Sequence, residues 1–255
     1  MTVEERLDEL VRLACEVGRP ERDLVVLAEG NVSALLDDGS FLIKASGARL
    51  ERLAAEEGVR LRLEPLLAAV QDDAPRDGGA LLAEAAVEPS PGRGPASIET
   101  FVHVVCLGLG GARFAVHTHP TPLVGLLCSP AAEELLTAGA LFPDEVVLCG
   151  AAPLYVGYFE PGLALARAVV PRLLAHVERH GEPPRAIYLA NHGLFATGGS
   201  AGEALAVTEM AVKAARVRLA ALAAGGLRPL PAASVAELGA RPDELERRAR
   251  LTGGS

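Results

Sequence analysis

The sequence predicts one α/β domain in which helices flank a central mixed or antiparallel sheet. The chain has 255 residues, half of them apolar, which is enough for one large core. Short runs rich in β-branched residues alternate with amphipathic helical stretches, a pattern typical of α/β proteins. We find no internal repeat in the sequence, so a single domain is favoured over an array of modules.

The N-terminal third predicts a helix followed by a β-hairpin. Thr2 and Glu5 have the spacing of a capping box at the start of the first helix. A strand is expected over residues 24–27, and a hairpin over 32–44 with an Asp-Asp-Gly tip. Residues 71–95 are rich in Pro, Gly and Asp, which indicates an insertion within the domain.

The rest of the chain alternates helical and strand patterns. The expected elements are a helix at 97–109, strands at 112–116, 144–149 and 154–158, a helix at 161–179, a strand at 186–190 and a helix at 201–224. The stretch after Pro229 has fewer apolar residues. We therefore expect a domain over residues 1–228 and a C-terminal tail over 229–255.

Composition argues against several classes of function. The net charge of −9 disfavours a broad nucleic-acid surface. No apolar run reaches the roughly 20 residues of a membrane-spanning helix, and the acidic N-terminus does not resemble a secretory signal. The four cysteines are widely spaced and form no C-x-x-C pair, as expected in a reducing compartment. We expect a cytoplasmic protein without membrane or nucleic-acid partners.

The motif FAVHTHP carries the most specific chemical signal. Side chains two apart on a strand point to the same face, so His117 and His119 can bind one metal ion together. Two partly exposed histidines without a metal could also occur at the end of a strand. This motif alone therefore does not distinguish a metal site from a strand end with two exposed histidines.

Two further residues favour the metal site. His192 also follows an apolar strand, and strands of one α/β sheet commonly deliver functional groups to the same edge. Three histidines with an open fourth position describe a catalytic metal site. Glu99 lies at the start of a predicted helix, where its carboxylate can complete the metal shell, act as a base or merely cap the helix.

Four segments, taken in order, resemble the class II aldolase/adducin family: AEGNVSALLDDGSFLIKASG, PASIETFVH, AVHTHP and LANHGLFATG. The family includes fuculose-1-phosphate and rhamnulose-1-phosphate aldolases and ribulose-5-phosphate 4-epimerase. The resemblance covers roughly residues 5–225, and the sequence is especially similar to the aldolase halves of aldolase/dehydrogenase fusions.

The resemblance implies a role for each motif. His117, His119 and His192 would bind Zn²⁺ or another divalent metal such as Mn²⁺ or Co²⁺, and Glu99 would be the general acid/base. The phosphate of a small sugar phosphate would be held by Gly30, Asn31, Ser46, Gly47 and Ser97. Backbone N–H groups of such turns, and a helix N-terminus, can point at an anion. A homotetramer is the usual assembly of the family.

The chain departs from the family pattern in the phosphate region. Ile98 replaces a second hydroxyl beside the acid, which removes one phosphate donor. Lys44 stands where the fuculose-phosphate type has a hydroxyl, and its ammonium can compensate as a point charge. Phe159 and Glu160 replace a Gly-Thr pair. These changes leave the metal chemistry in place but bear on the identity of the substrate.

The implied reaction is the cleavage of a ketose 1-phosphate to dihydroxyacetone phosphate and an aldehyde, through an enediolate that the metal stabilises. A pKa of Glu99 raised by burial would suit its exchange of the proton beside the carbonyl. With lysines at positions 44 and 213 alone, a Schiff-base mechanism is disfavoured. The alternatives are a 4-epimerase, a retro-aldolase acting on an unphosphorylated sugar acid, and a non-catalytic module like the adducin head.

Overall fold

A computed structural model describes residues 1–92 and 94–253 of the chain. The strands of these residues are β1 (Asn31–Leu35), β2 (Ser40–Lys44), β3 (Gly58–Arg62), β4 (Phe114–Thr118), β5 (Leu154–Val156), β6 (Ala186–Leu189) and β7 (Gly193–Gly198). They form one sheet in the order β3-β2-β1-β4-β7-β6-β5. Neighbouring strands are antiparallel except β5 and β6, which are parallel.

Helices precede, connect and follow the strands. Those of the described residues are α1 (Val3–Val17), α2 (Leu63–Gln71), α3 (Gly78–Glu84), α4 (Thr100–Gly108), α5 (Thr121–Leu127), α6 (Ala132–Thr137), α7 (Pro143–Cys149), α8 (Leu163–His180), α9 (Ala201–Ala223), α10 (Ala232–Ala240) and α11 (Pro242–Leu251). Across the part of the chain that the structure describes, none of these helices is both long and apolar enough to cross a membrane.

Apolar clusters cover both faces of the sheet. Successive side chains of β2 alternate between them, as the pleat of a strand requires. Phe41 and Ile43 pack with residues of α2, α4 and α8 on one face. Leu42 packs with residues of α1 and α9 on the other. The predicted α/β class, with a mixed sheet flanked by helices in one domain, is confirmed.

Two of the expected strands are wrong. Residues 24–27 form an irregular loop, in which Val26 and Leu27 are exposed and Leu27 has a left-handed φ of +56°. Residues 144–149 belong to helix α7. Pro143 opens that helix, because its fixed φ suits the first helical turn, and Glu145 in the same turn pairs with the buried Arg218 at 2.6 Å. The expected hairpin over 32–44 is confirmed as β1 and β2.

The two segments that were expected to flank or interrupt the domain contain regular structure. Helix α3 lies within residues 71–95, and its Leu82 is buried in the main core; Arg93 falls outside the described residues. After residue 228, α10 and α11 contact α7, and the Ser200 hydroxyl donates to the carbonyl of Thr252 at 3.1 Å. The boundary at residue 228 stays a prediction.

Strand directions bring the sequence motifs to one edge of the sheet. Strands β4 and β6 run in the same direction, because both are antiparallel to β7. Their C-terminal ends therefore lie at the same edge, and the start of antiparallel β1 joins them there. Asn31 pairs directly with His117 across β1 and β4.

Candidate metal centre

His117 is the most rigidly held residue of the H-x-H motif. It lies on β4 with no exposed surface, and its ring stacks on that of Phe195 with centroids 4.2 Å apart. Its Nδ1 lies 2.9 Å from the carbonyl oxygen of Leu194, which can accept a hydrogen bond from a protonated Nδ1. His119 follows the strand, and its backbone N–H donates to the carbonyl of Leu24 at 2.9 Å. Both imidazoles are thus oriented by the strand and its neighbours.

His192 lies in the tight turn between β6 and β7. Asn191 adopts a left-handed φ of +52°, a conformation that asparagine tolerates better than most residues. The turn is fixed at both positions: the N–H of Asn191 donates to the carbonyl of Leu127 at 3.1 Å, and that of His192 donates to the carbonyl of Leu189 at 3.2 Å. This turn directs His192 toward the end of β4.

Glu99 lies immediately before α4 and points toward the histidines. Its backbone N–H donates to the Ser97 hydroxyl at 3.3 Å. The side-chain amide of Asn31 donates to Glu99 Oε2 at 2.5 Å, which leaves Oε1 directed at the imidazoles. Asn31, which the resemblance assigns to phosphate, therefore also orients the carboxylate.

Four side-chain atoms, one from each of the predicted metal-site residues, lie within 4.8 Å of one another. His117 Nε2 lies 2.9 Å from His119 Nε2 and 3.2 Å from His192 Nε2, while Glu99 Oε1 lies 3.0 Å from His192 Nε2 and 3.3 Å from His117 Nε2. Ligands of a tetrahedral Zn²⁺ site, with bonds of about 2.0–2.1 Å, are about 3.3 Å apart. The spacing and the donor set, three imidazoles and a carboxylate, fit a divalent metal. Glu99 Oε1 lies beside the three imidazoles, at the fourth ligand position that the histidines alone leave open.

The charge states of Glu99 and His119 suit a cation. Burial tends to raise the pKa of Glu99, but the positive charge and hydrogen bond of His117, followed by those of His192, lower it well below its usual value. The expectation of a raised pKa is therefore wrong. Burial, followed by the neighbouring charges of His117 and His192, lowers the pKa of His119 to about 3. A carboxylate and a neutral imidazole are the forms that bind metals.

The first of the two turns that the resemblance assigns to an anion, Gly30-Asn31, contacts this cluster through the Asn31 side chain. Gly30 has a φ of +72°, and a Cβ there would lie 2.7 Å from the backbone oxygen of His117, so glycine is required. Gly47, with a φ of +79°, faces open space. The N–H of Ser46 donates to the carbonyl of Pro95 at 2.9 Å, so its exposed side chain is the part that can meet an anion.

Lys44 connects these two turns. Its side chain is buried, and its Nζ donates to the carbonyl of Ala48 at 2.8 Å and to that of Ala28 at 3.2 Å. Ala28 precedes the Gly-Asn turn, and Ala48 follows the Ser-Gly turn. Burial lowers the pKa of Lys44. The ammonium is therefore bound to two backbone oxygens beside the turns that the sequence predicts to bind an anion.

Some residues near or outside the site were missed or misplaced by the sequence. Phe195 and Leu194 were not singled out, although the apolar run after His192 signals a strand that returns beside it. His176 is buried and lines a cleft of about 480 Å³ between α6, β5 and α8, whose lining includes none of the metal-site residues. His103 is fully buried behind Phe195.

The Gly193→Ala substitution is expected to damage the metal centre. A Cβ at residue 193 would lie 2.4 Å from the backbone oxygen of Thr118 and 2.6 Å from Cδ2 of His119. Strands β4 and β7 must separate or His119 must move, so we expect metal affinity to fall by about tenfold or more. Gly157→Ala is the matched control, because a Cβ there has no neighbour within 4 Å. Equal metal affinities of the two variants, measured by chelator competition, would contradict the expectation.

Comparison with known proteins identifies the family. The model of the Class II Aldolase and Adducin N-terminal domain matches residues 9–219. The chain belongs to this family, as the four motifs indicated. A search of curated proteins finds no match.

Solved structures show the same fold. YgbL from Klebsiella pneumoniae, described as a "putative aldolase/epimerase/decarboxylase", is 26% identical to this chain. The match covers 93% of this chain and 99% of YgbL, with a TM-score of 0.69. An L-fuculose 1-phosphate aldolase is 18% identical over 94% and 96% of the two chains, with a TM-score of 0.69. The L-fuculose-1-phosphate aldolase of Thermus thermophilus is 22% identical over 89% and 100%, with a TM-score of 0.61.

Proposed function

We propose that this protein is a metal-dependent aldolase that cleaves a ketose 1-phosphate into dihydroxyacetone phosphate and an aldehyde. The observation that carries the proposal is the convergence of three imidazole nitrogens and Glu99 Oε1 at one edge of the sheet. An interaction module without enzymatic activity has no need of such a cluster, and two of its imidazoles are largely buried at a desolvation cost.

His117, His119 and His192 would hold the metal through their Nε2 atoms. A divalent cation bound there would act as a Lewis acid toward the carbonyl of the substrate. Zn²⁺ fits the tetrahedral spacing and the imidazole ligands, and Mn²⁺ or Co²⁺ are the alternatives.

Glu99 is proposed as the group that moves the proton. In the direction of bond formation, its carboxylate removes a proton from the carbon beside the carbonyl of dihydroxyacetone phosphate; in cleavage, it returns that proton. The hydrogen bond from Asn31 to Oε2 keeps the carboxylate oriented while Oε1 faces the site. The same position allows Glu99 to act as a fourth metal ligand when no substrate is bound.

The phosphate is assigned to the two turns and to Ser97. Gly30, Asn31, Ser46 and Gly47 lie on turns that Lys44 joins, and Ser97 lies two residues before the catalytic acid. The buried ammonium adds positive charge beside this region of an otherwise acidic chain, which favours an anionic substrate group.

A second substrate class, an unphosphorylated sugar acid, is favoured by one observation. Ile98, more than half exposed beside Glu99, presents an apolar surface where a hydroxyl would assist phosphate binding. Gly162 packs beside Ile98, since a Cβ built at residue 162 would lie 3.7 Å from the Cβ of Ile98. Gly162 has no side chain and so adds no donor for a phosphate. A carboxylate needs fewer hydrogen-bond donors than a phosphate, so the loss of one hydroxyl is better tolerated by a sugar acid. A retro-aldol reaction on a sugar acid would use the same metal and the same base.

Product analysis distinguishes these activities. The purified protein, loaded with zinc, manganese or cobalt in turn, is incubated with ketose 1-phosphates and with ketonic sugar acids, and the products are identified by NMR. Dihydroxyacetone phosphate supports the proposal, whereas fragments from sugar acids alone favour the second substrate class. Conversion to an epimer without fragments would overturn the aldolase assignment, and failure of wild-type protein to bind metal would overturn the enzymatic one.

We further propose a homotetramer. The family resemblance supports this assembly, and light scattering coupled to size-exclusion chromatography measures it directly. A monomer at micromolar concentration would contradict it.

A further inference from the structure

The three histidines of the metal centre differ in what faces their second ring nitrogen. An imidazole that binds a cation through Nε2 carries its proton on Nδ1, and an acceptor for that proton fixes the ring and its tautomer. His117 has the carbonyl of Leu194 at 2.9 Å. The Nδ1 of His192 is buried without a partner among the described residues. For His119, the facing atom is Oε2 of Glu29, at 3.7 Å from Nδ1.

Glu29 belongs to a loop that is tightly connected to the site. The N–H of Val26 donates to Glu29 Oε2 at 2.9 Å, and the N–H of Glu29 donates back to the carbonyl of Val26 at 3.1 Å. The loop is joined to β4 through the bond from His119 N–H to Leu24, and to Lys44 through the carbonyl of Ala28. These contacts hold Glu29 Oε2 3.7 Å from Nδ1 of His119, a few tenths of an ångström beyond hydrogen-bond distance.

We infer that Glu29 is a positioning residue that selects the Nδ1–H tautomer of His119 and strengthens metal binding by the cluster. The inference rests on the proposed metal-dependent function and adds to it a carboxylate outside the ligand set. A carboxylate accepts a stronger hydrogen bond than a neutral oxygen and makes the opposite nitrogen a better ligand. Since 42% of the Glu29 side chain is exposed, solvent screens part of this effect.

Two variants of Glu29 test the inference, with Glu21→Gln as the matched control. Glu29→Gln retains an oxygen for the Val26 N–H but loses the charge, and Glu29→Ala removes the acceptor. Glu21, which is 70% exposed, lies in the same stretch of chain, so its replacement removes an equal charge without a contact to His119. Correct folding of each variant is checked by comparing its thermal transition with that of the wild type.

The first measurement is the tautomer of His119 in metal-free protein, from long-range ¹H–¹⁵N correlation spectra assigned with His119→Gln. We expect the Nδ1–H tautomer to be equally populated in wild type and Glu21→Gln, and to lose population to Nε2–H in Glu29→Ala. The second is the zinc dissociation constant, from competition with a chromophoric chelator. We expect an increase of about tenfold in Glu29→Ala, a smaller increase in Glu29→Gln, and no change in Glu21→Gln.

The outcomes separate the inference from the proposed function. If Glu29→Ala keeps the wild-type tautomer and a dissociation constant within about twofold of wild type, the positioning role is wrong while the metal site stands. If wild-type protein binds no zinc, the proposed function fails, and the tautomer spectra still show whether Glu29 orients His119.

Discussion

His192→Ala is expected to remove both tight metal binding and catalysis. The substitution deletes one of three imidazoles in the cluster. In wild type, His117 Nε2 lies 2.9 Å from His119 Nε2 and 3.2 Å from His192 Nε2. Two remaining histidines and Glu99 would bind a cation more weakly and with freedom to shift. A loss of about 4 kcal/mol in transition-state stabilisation corresponds to about a thousandfold fall in kcat/KM. Metal content per chain and steady-state cleavage rates measure the two effects.

His180→Ala is the control for that variant, because His180 is an exposed residue at the end of α8. It should retain wild-type metal content and rate. If the His192 variant also retained both, the three-histidine site would be refuted. A variant that loses activity but keeps its metal would restrict His192 to substrate binding.

The general fold follows from local patterns, but strand identity does not. The predicted capping box at Thr2 is present, and the side chains of β2 alternate between the two faces of the sheet. Residues 146–149 favour a strand because they are apolar and two of them are β-branched, yet Pro143 and the pairing of Glu145 with Arg218 stabilise a helix. That ion pair joins residues distant in the chain, so the sequence window contains no sign of it. Tertiary contacts decide such ambiguous segments.

The residues of the site were predictable by type, but their mutual geometry was not. H-x-H on a strand implies a shared face, and strand ends imply a shared edge, which β4 and β6 confirm. The approach of Glu99 Oε1 to the imidazoles depends on the bond from Asn31, 68 positions earlier in the chain. Lys44 was assigned to the substrate from its position in the family pattern and its charge. Its hydrogen bonds to the carbonyls of Ala28 and Ala48 depend on the folded chain, which brings the two turns side by side.

Glu99→Gln is expected to abolish proton transfer while it preserves the metal. The amide keeps an oxygen for the hydrogen bond from Asn31 and nearly the same volume, so the start of α4 should be undisturbed. It cannot accept a proton from the carbon beside a carbonyl. General base catalysis contributes about 10²–10⁴-fold, and we expect the cleavage rate to fall within that range.

Exchange of the α-hydrogen of dihydroxyacetone phosphate with D₂O, followed by NMR, isolates the proton-transfer step from cleavage. Wild type and the control Glu178→Gln, a change at an exposed position of α8, should exchange it, whereas Glu99→Gln should not. Normal exchange with retained metal would mean that another group moves the proton, and loss of both metal and exchange would mean that Glu99 serves as a ligand. Because the three imidazoles remain in this variant, retained metal with lost exchange assigns the carboxylate specifically to the proton.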